Sequence, residues 1–183
     1  QEIKDLWAQN RNHSAELGTQ LHKQIEYYYN HPEDVNFHPN TVEWGYFLQF
    51  VQDLVRDFPD KIPYRTEWCI YHEDLKISGS IDMVYRNKDG TVSLYDWKRA
   101  KEIKKYSYSR SYGLDPILHH IPDANFWHYS LQLNIYKMIL EEKYGLIVKD
   151  MCLVVMHPNQ PNYKLVPVSD MSALLKELFC TYC

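Results

Sequence analysis

The chain has 183 residues, a formal net charge of −4 and an aromatic share of 15%, with 16 tyrosines. That length builds a single domain with a sizeable core, the slightly acidic balance excludes a nucleic-acid binder that works by bulk charge, and no apolar run of about 18 residues is present to cross a bilayer. The opening QEIKDLWAQNRN lacks the pattern of a signal peptide, so a soluble, intracellular chain is expected, with Gln1 and Cys183 as the edges of one domain, either excised from a larger protein or trimmed at its ends.

In chain order, Ile3 to Asn10 predicts a short helix. Ser14 is placed to cap a second, because Leu17, Leu21, Ile25 and Tyr28 recur at helical spacing until His31-Pro32 ends it. Gly18, His22 and Glu26 lie one turn apart on the adjoining face. His22 reads either as a surface imidazole beside Glu26 or as a ligand aimed at a site. A glycine inside a helix costs about 1 kcal/mol relative to alanine, so Gly18 calls for close approach of another backbone or of a substrate phosphate. Pro39-Asn40-Thr41 opens a core helix carrying Trp44, Phe47, Leu48, Val51, Leu54, Val55 and Phe58, and Pro59 ends it.

Tyr64 to His72 reads as a strand, turned at Glu73-Asp74 into a hairpin of Lys76 to Tyr85 and Thr91 to Trp97. The link Asn87-Lys88-Asp89-Gly90 has strong turn chemistry. With the loop centred near Asp89, Asp82 falls opposite Asp96, and Asp96 shares a sheet face with Lys98. Aspartate is disfavoured in mid-strand, and both of these stand among apolar neighbours. Two carboxylates side by side on a half-buried surface repel and lose hydration unless a cation sits between them. A divalent metal is the natural occupant; an ordinary solvated hairpin with scattered charges is the alternative. Glu67 is equally a third carboxylate of the site or a surface residue, depending on register.

After Lys98 come Lys101, Lys104, Lys105, Tyr106, Tyr108, Arg110 and Tyr112. Cations interleaved with rings suit single-stranded nucleic acid, against the alternative of a solvated connection. Asn125 to Tyr144 predicts a helix stopped by Gly145, with Gln132 and Tyr136 four apart on one face. Ile147 to Met156 and Tyr163 to Val168 read as strands, and Ser169 caps a last helix. The order implies an α/β layer structure with a mixed central sheet flanked by helices. Cys69 and Cys152 fall in strands as small core residues. Cys180 and Cys183 have ligand spacing but no second pair, so reduced thiols are expected.

Gly18-x-x-x-His22, Gly79-x-x-Asp82, Asp96-Trp97-Lys98 and Gln132-x-x-x-Tyr136, in that order, resemble the RecB-like branch of the PD-(D/E)XK nuclease superfamily. That branch includes CRISPR-adaptation exonucleases and the mitochondrial genome maintenance exonuclease. The resemblance runs from about residue 14 to residue 168. It implies a restriction-endonuclease-like fold and metal-dependent hydrolysis of DNA in replication, recombination or repair, by an exonuclease preferring single strands or frayed ends.

Carried over to this sequence, it makes His22, Asp82, Asp96 and the backbone carbonyl of Trp97 metal ligands and Lys98 the catalytic lysine. Gln132 and Tyr136 brace the site and contact substrate, and Glu26 stands behind the imidazole. Mg²⁺ or Mn²⁺ is the expected cofactor, with the imidazole favouring Mn²⁺. The iron–sulfur members place a cysteine ahead of the histidine motif, and this sequence has none before Cys69, so no cluster is expected. Two other readings are an RNA endonuclease of the cap-snatching type and a non-catalytic nuclease-fold module that only binds nucleic acid or a partner protein.

Overall fold

The computed structural model describes residues 2–180. Its elements are α1 (Glu2–Asn30), α2 (Val42–Asp57), β1 (Ile62–His72), β2 (Ile77–Arg86), β3 (Val92–Lys98), α3 (Asn125–Lys143), β4 (Val148–Val155), β5 (Lys164–Val168) and α4 (Ser172–Cys180), with one short 3₁₀ turn at Pro116–Leu118. The five strands form one open mixed sheet in the order β1-β2-β3-β4-β5. β1 to β3 are an antiparallel meander. β4 runs parallel to β3, an arrangement that needs a crossover such as the long connection containing α3, and β5 returns antiparallel.

Helices cover both faces. Leu21 and Ile25 of α1 and Trp44, Phe47, Phe50 and Leu54 of α2 pack on Met83, Tyr85, Tyr95, Trp97, Cys152 and Val154. On the other face, Leu133, Tyr136, Ile139 and Leu140 of α3 pack on Ile70, Val84, Leu94, Met151, Leu153 and Val155. β3 and β4 therefore alternate between two cores and are buried on both sides, which explains their nearly unbroken apolar sequences.

Several boundaries differ from the sequence reading. Ser14 caps nothing: α1 is one helix of 29 residues, because no proline or glycine stands between Asn10 and Ser14 to stop propagation. Thr41 does cap α2, its hydroxyl accepting from the Trp44 amide at 3.2 Å. Ser169 does not cap the last helix. Its carbonyl accepts from the Asn134 side chain, and Asp170 takes the Ser172 amide at 2.8 Å instead. Cys152 is buried, with its thiol pushed up to about 12 chiefly by burial, whereas Cys69 is exposed. It sits on edge strand β1, where the α1 layer leaves a groove. Val55 and Phe58, expected in the core, are also exposed. Cys183, the second half of the cysteine pair, lies outside the described residues.

The departure that matters for function is a break in alternation. Ile81 and Met83 are two residues apart yet face opposite cores, which a regular strand of period two cannot do. The chain is displaced at Asp82. Across from it, between the pairs Thr66↔Met83 and Trp68↔Ile81, stands Glu67 with φ +42°, a left-handed conformation that a side chain seldom adopts.

Candidate active site

The β2–β3 ladder begins at Arg86↔Val92 and ends at Met83↔Tyr95. One step further the same register sets Asp82 across from Asp96, but the strands no longer pair directly. Instead the Asp82 carboxylate, through Oδ2, accepts from the Trp97 amide at 2.8 Å. β3 stays tied to β4 as far as Lys98↔Val155. The sheet thus forks between β2 and β3, and groups from both faces can meet there.

Three carboxylates line up across this fork, Glu67 on β1, Asp82 on β2 and Asp96 on β3. His22 reaches down from α1: its Nδ1 lies 3.5 Å from Glu67 Oε1 and 3.5 Å from Asp82 Oδ2, and its Nε2 is 2.9 Å from the carbonyl of Trp97. That last spacing is a hydrogen bond when Nε2 carries the proton. It is also close to the distance between neighbouring ligands of an octahedral ion held at about 2.1 Å. One ligand atom from each of His22, Glu67 and Asp82 lies within 4.8 Å of the others, the one such group among the described residues.

Burial dominates the electrostatics. Asp82 is 9% exposed and Asp96 2%. Loss of hydration, followed by the charge of Asp96, pushes the Asp82 carboxyl up to about 7. Burial also raises Asp96, against the pull of Lys98. Desolvation alone would lower Lys98 and His22, yet both are held above their ordinary values, Lys98 chiefly by Asp96 and His22 chiefly by its bond to Glu67. The same bond lowers Glu67. Lys98 Nζ sits 2.7 Å from Asp96 Oδ2, but the approach is misaligned for a hydrogen bond, and that buried oxygen has no aligned donor. One carboxyl is raised by burial and another has a buried oxygen with the Lys98 ammonium beside it but no aligned donor, an arrangement that favours a cation. The donor set of imidazole, carboxylates and a carbonyl fits a divalent metal ion.

From the α3 side, Tyr136 lays its ring against Gly79, where a Cβ would meet the ring carbons and lie 2.9 Å from the hydroxyl oxygen. Gln132 donates to that hydroxyl at 2.9 Å. Two separate sequence motifs are thus one contact. Gly79→Ala is expected to displace Tyr136, to cost about 1–3 kcal/mol as overpacking does, and to impair any activity that needs Gln132 in place. Thermal unfolding and an activity assay on the same preparation would check both.

Of the other residues singled out in the sequence, Glu26 lines the groove beside His22, but no described bond or ion pair joins the two; the carboxylate at the imidazole is that of Glu67. Gly18 has nothing within 4 Å of the position a Cβ would take, so no part of this chain explains the glycine. It borders an open groove of about 510 Å³ with Thr19, His22, Lys23, Glu67 and Ser80. A larger cavity of about 600 Å³, under Tyr28, Phe37 and Trp44, includes no member of the triad.

The exposed cations Lys101, Lys104 and Lys105 and the exposed Tyr106, Tyr108 and Arg110 follow Lys98 directly. Lys104 pairs with Glu102 at 3.5 Å, and Lys105 Nζ lies 4.6 Å over the Phe126 ring. Sequence reasoning missed Tyr129, whose ring lies 4.5 Å from Lys98 Nζ, although its spacing to Gln132 and Tyr136 puts all three on one helical face. It also missed the Arg99–Glu43 pair at 2.6 Å, which joins the end of β3 to α2, and the Ser80 hydroxyl that donates to Glu67.

No protein-family model matches the chain, and no curated protein does. Among solved structures, it is similar to a "Putative exonuclease" from Eubacterium rectale, with 11% identity and a TM-score of 0.47 over 90% of this chain and 62% of the other. A second is SSO0001, with 15% identity and a TM-score of 0.34 over 87% of this chain and 71% of the other. The chain therefore spans less than two thirds of the length of the first of these proteins.

Proposed function

We propose that this protein is a metal-dependent nuclease of the RecB-like PD-(D/E)XK kind, hydrolysing phosphodiester bonds of DNA, with single strands or frayed ends as the preferred substrate and an exonucleolytic mode. The observation that carries the reading is the fork itself: the His22 imidazole and two strand-borne carboxylates, Glu67 and Asp82, cluster where the sheet opens, with the Asp96–Lys98 pair beside them. His22, Asp82, Asp96, Glu67 and the Trp97 carbonyl are the groups that would hold Mg²⁺ or Mn²⁺. Such an ion supplies positive charge to the phosphoryl oxygens and acidifies water near neutral pH.

The chain's own residues account for the rest. Lys98, held above its ordinary value by Asp96 against the effect of burial, is suited to act as a cation. Its Nζ–H groups suit it to orient a water or to donate to the oxygens on which charge builds in the transition state. Tyr129 beneath the ammonium limits where it can point, and Gln132 with Tyr136 fills the α3 side of the site. Glu67, drawn down by His22, remains ionised and keeps the imidazole aimed into the fork.

The test is incubation of end-labelled single-stranded DNA, duplex DNA and RNA of one sequence with Mn²⁺, Mg²⁺ or EDTA. Cleavage is expected with either ion, with Mn²⁺ at least as effective as Mg²⁺, and none in EDTA. Product lengths separate exonucleolytic from endonucleolytic cutting. Cleavage unaffected by EDTA, or of no nucleic acid at all, would overturn the reading, and RNA as the better substrate would favour the cap-snatching type.

A further inference from the structure

Between Lys98 and α3 the chain makes a built projection. Ile103 anchors it in the α3-side core. Its neck is closed by Asn125, whose side chain accepts from the Lys104 amide at 2.7 Å and donates to the Glu102 carbonyl at 3.1 Å, and by Trp127, whose indole donates to the Lys105 carbonyl at 2.9 Å. Further out, Tyr112 pairs with Pro122 in an isolated antiparallel bridge, and the Gly113 amide donates to the Ile121 carbonyl at 3.0 Å.

The tip reads Tyr106-Ser107-Tyr108-Ser109-Arg110-Ser111-Tyr112, alternating serine with a large side chain. The three serines turn toward one another, Ser107 Oγ lying 3.1 Å from Ser109 Oγ and Ser109 Oγ 2.6 Å from Ser111 Oγ, and Ser107 also accepts the Ser111 amide at 3.2 Å. The tyrosines are thereby left outside the knot. Tyr106 is 83% exposed, Tyr108 fully exposed and Tyr112 53%. Rings this exposed add nothing to the core, and the turn that shows them includes Arg110 at φ +55°, a conformation that arginine seldom adopts.

From Lys98 to Tyr112 the chain carries six basic residues and one acidic, within a chain of net charge −4. We infer that this loop binds the unpaired bases of a single-stranded nucleic acid, Tyr106 and Tyr108 stacking on successive bases while the flanking cations follow the phosphates. Unpaired bases offer faces for stacking that a duplex hides, and base–aromatic stacking tolerates any sequence. The serine knot fixes the backbone before binding, so less order has to be imposed when the strand arrives. The inference deepens the nuclease reading and rests on it for one point, that the strand continues from the loop into the fork.

Equilibrium binding of a fluorescein-labelled single strand in EDTA, followed by anisotropy, tests the loop without requiring catalysis. The pair Tyr106→Ala with Tyr108→Ala is expected to weaken binding at least about tenfold, with the melting temperature unchanged because both side chains lie in solvent. Tyr106→Phe with Tyr108→Phe should bind as the parent does, since stacking uses the ring and not the hydroxyl. The corresponding duplex should bind more weakly than the single strand and lose little on substitution.

Parent-like binding by the alanine pair would overturn the inference, as would a parent protein that does not bind single strands. The second result would point instead to a protein partner for the rings. Parent-like binding by the alanine pair leaves the assignment of the fork untouched, and a parent that binds single strands through the tyrosines but cuts nothing would overturn the fork's assigned activity alone.

Discussion

Replacing Lys98 by alanine is expected to slow cleavage by about 10²–10³-fold, the usual cost of removing one preorganised donor from a site of developing charge, and to destabilise the fold as well. The second effect follows from burial. The two side chains of the Lys98–Asp96 pair are 17% and 3% exposed, and removing one partner of a buried pair leaves the other charged without solvent. That costs on the order of 3–5 kcal/mol when the orphaned group cannot neutralise itself. Here Asp96 can take up a proton, so the lower end of that range is expected. Replacing both members, Asp96→Leu with Lys98→Met, should recover most of the stability and none of the activity. Urea unfolding of the two variants beside a cleavage assay separates the roles, and a Lys98→Ala protein that cuts at the parent rate would remove the lysine from the chemistry.

Adding Mn²⁺ or Mg²⁺ to ion-free protein is expected to raise its melting temperature, and the size of the rise should grow with pH. Asp82 has a carboxyl raised to about 7 in the fold against about 3.9 in the unfolded chain. The folded state therefore holds a proton that the unfolded state has released. Its contribution to stability is present in full below the unfolded value and is lost as pH climbs toward and through 7. The raised His22 acts in the same direction. Glu67, lowered by His22, loses its contribution only as pH falls below the ordinary carboxylate range. Without metal, stability should thus decline from about pH 5 to pH 8.

A divalent ion binds the ionised form and displaces the proton, so its effect is largest at the alkaline end of that window. At a hundredfold excess over the dissociation constant the gain is about 2.7 kcal/mol. Thermal scans across pH with and without Mn²⁺ give the result directly, and Asp82→Asn should flatten the slope to the part that His22 supplies and abolish the response to metal. A response that survives Asp82→Asn unchanged would move the ion elsewhere.

Much of this was legible in the sequence because alternation and turn chemistry are local. The β2–β3 register followed from the Asn87–Gly90 turn and came out as expected, although the ladder stops at Met83↔Tyr95, one step short of Asp82 and Asp96, and the helix that carries His22 was visible in the spacing of Leu21 and Ile25. What sequence periodicity could not supply is where alternation fails. The displacement at Asp82 and the left-handed backbone at Glu67 together decide which carboxylates face His22, and both are settled by tertiary contacts. Glu67 could be written only as a choice between ligand and surface for that reason. Likewise Gly79 and Tyr136 are 57 positions apart, and only the stacking of α3 on β2 makes the glycine intelligible.

The irregular backbone of β1 has a consequence unrelated to chemistry. This strand is eleven residues long and lies at the margin of the sheet, where a straight run of unpaired amides and carbonyls would recruit any extended chain that met it. The register slip between Pro63 and Arg65 and the reversal at Glu67 spoil that template. A β-branched replacement at Glu67 that straightened the strand would therefore remove the carboxylate beside His22 and, at the same time, invite self-association edge to edge.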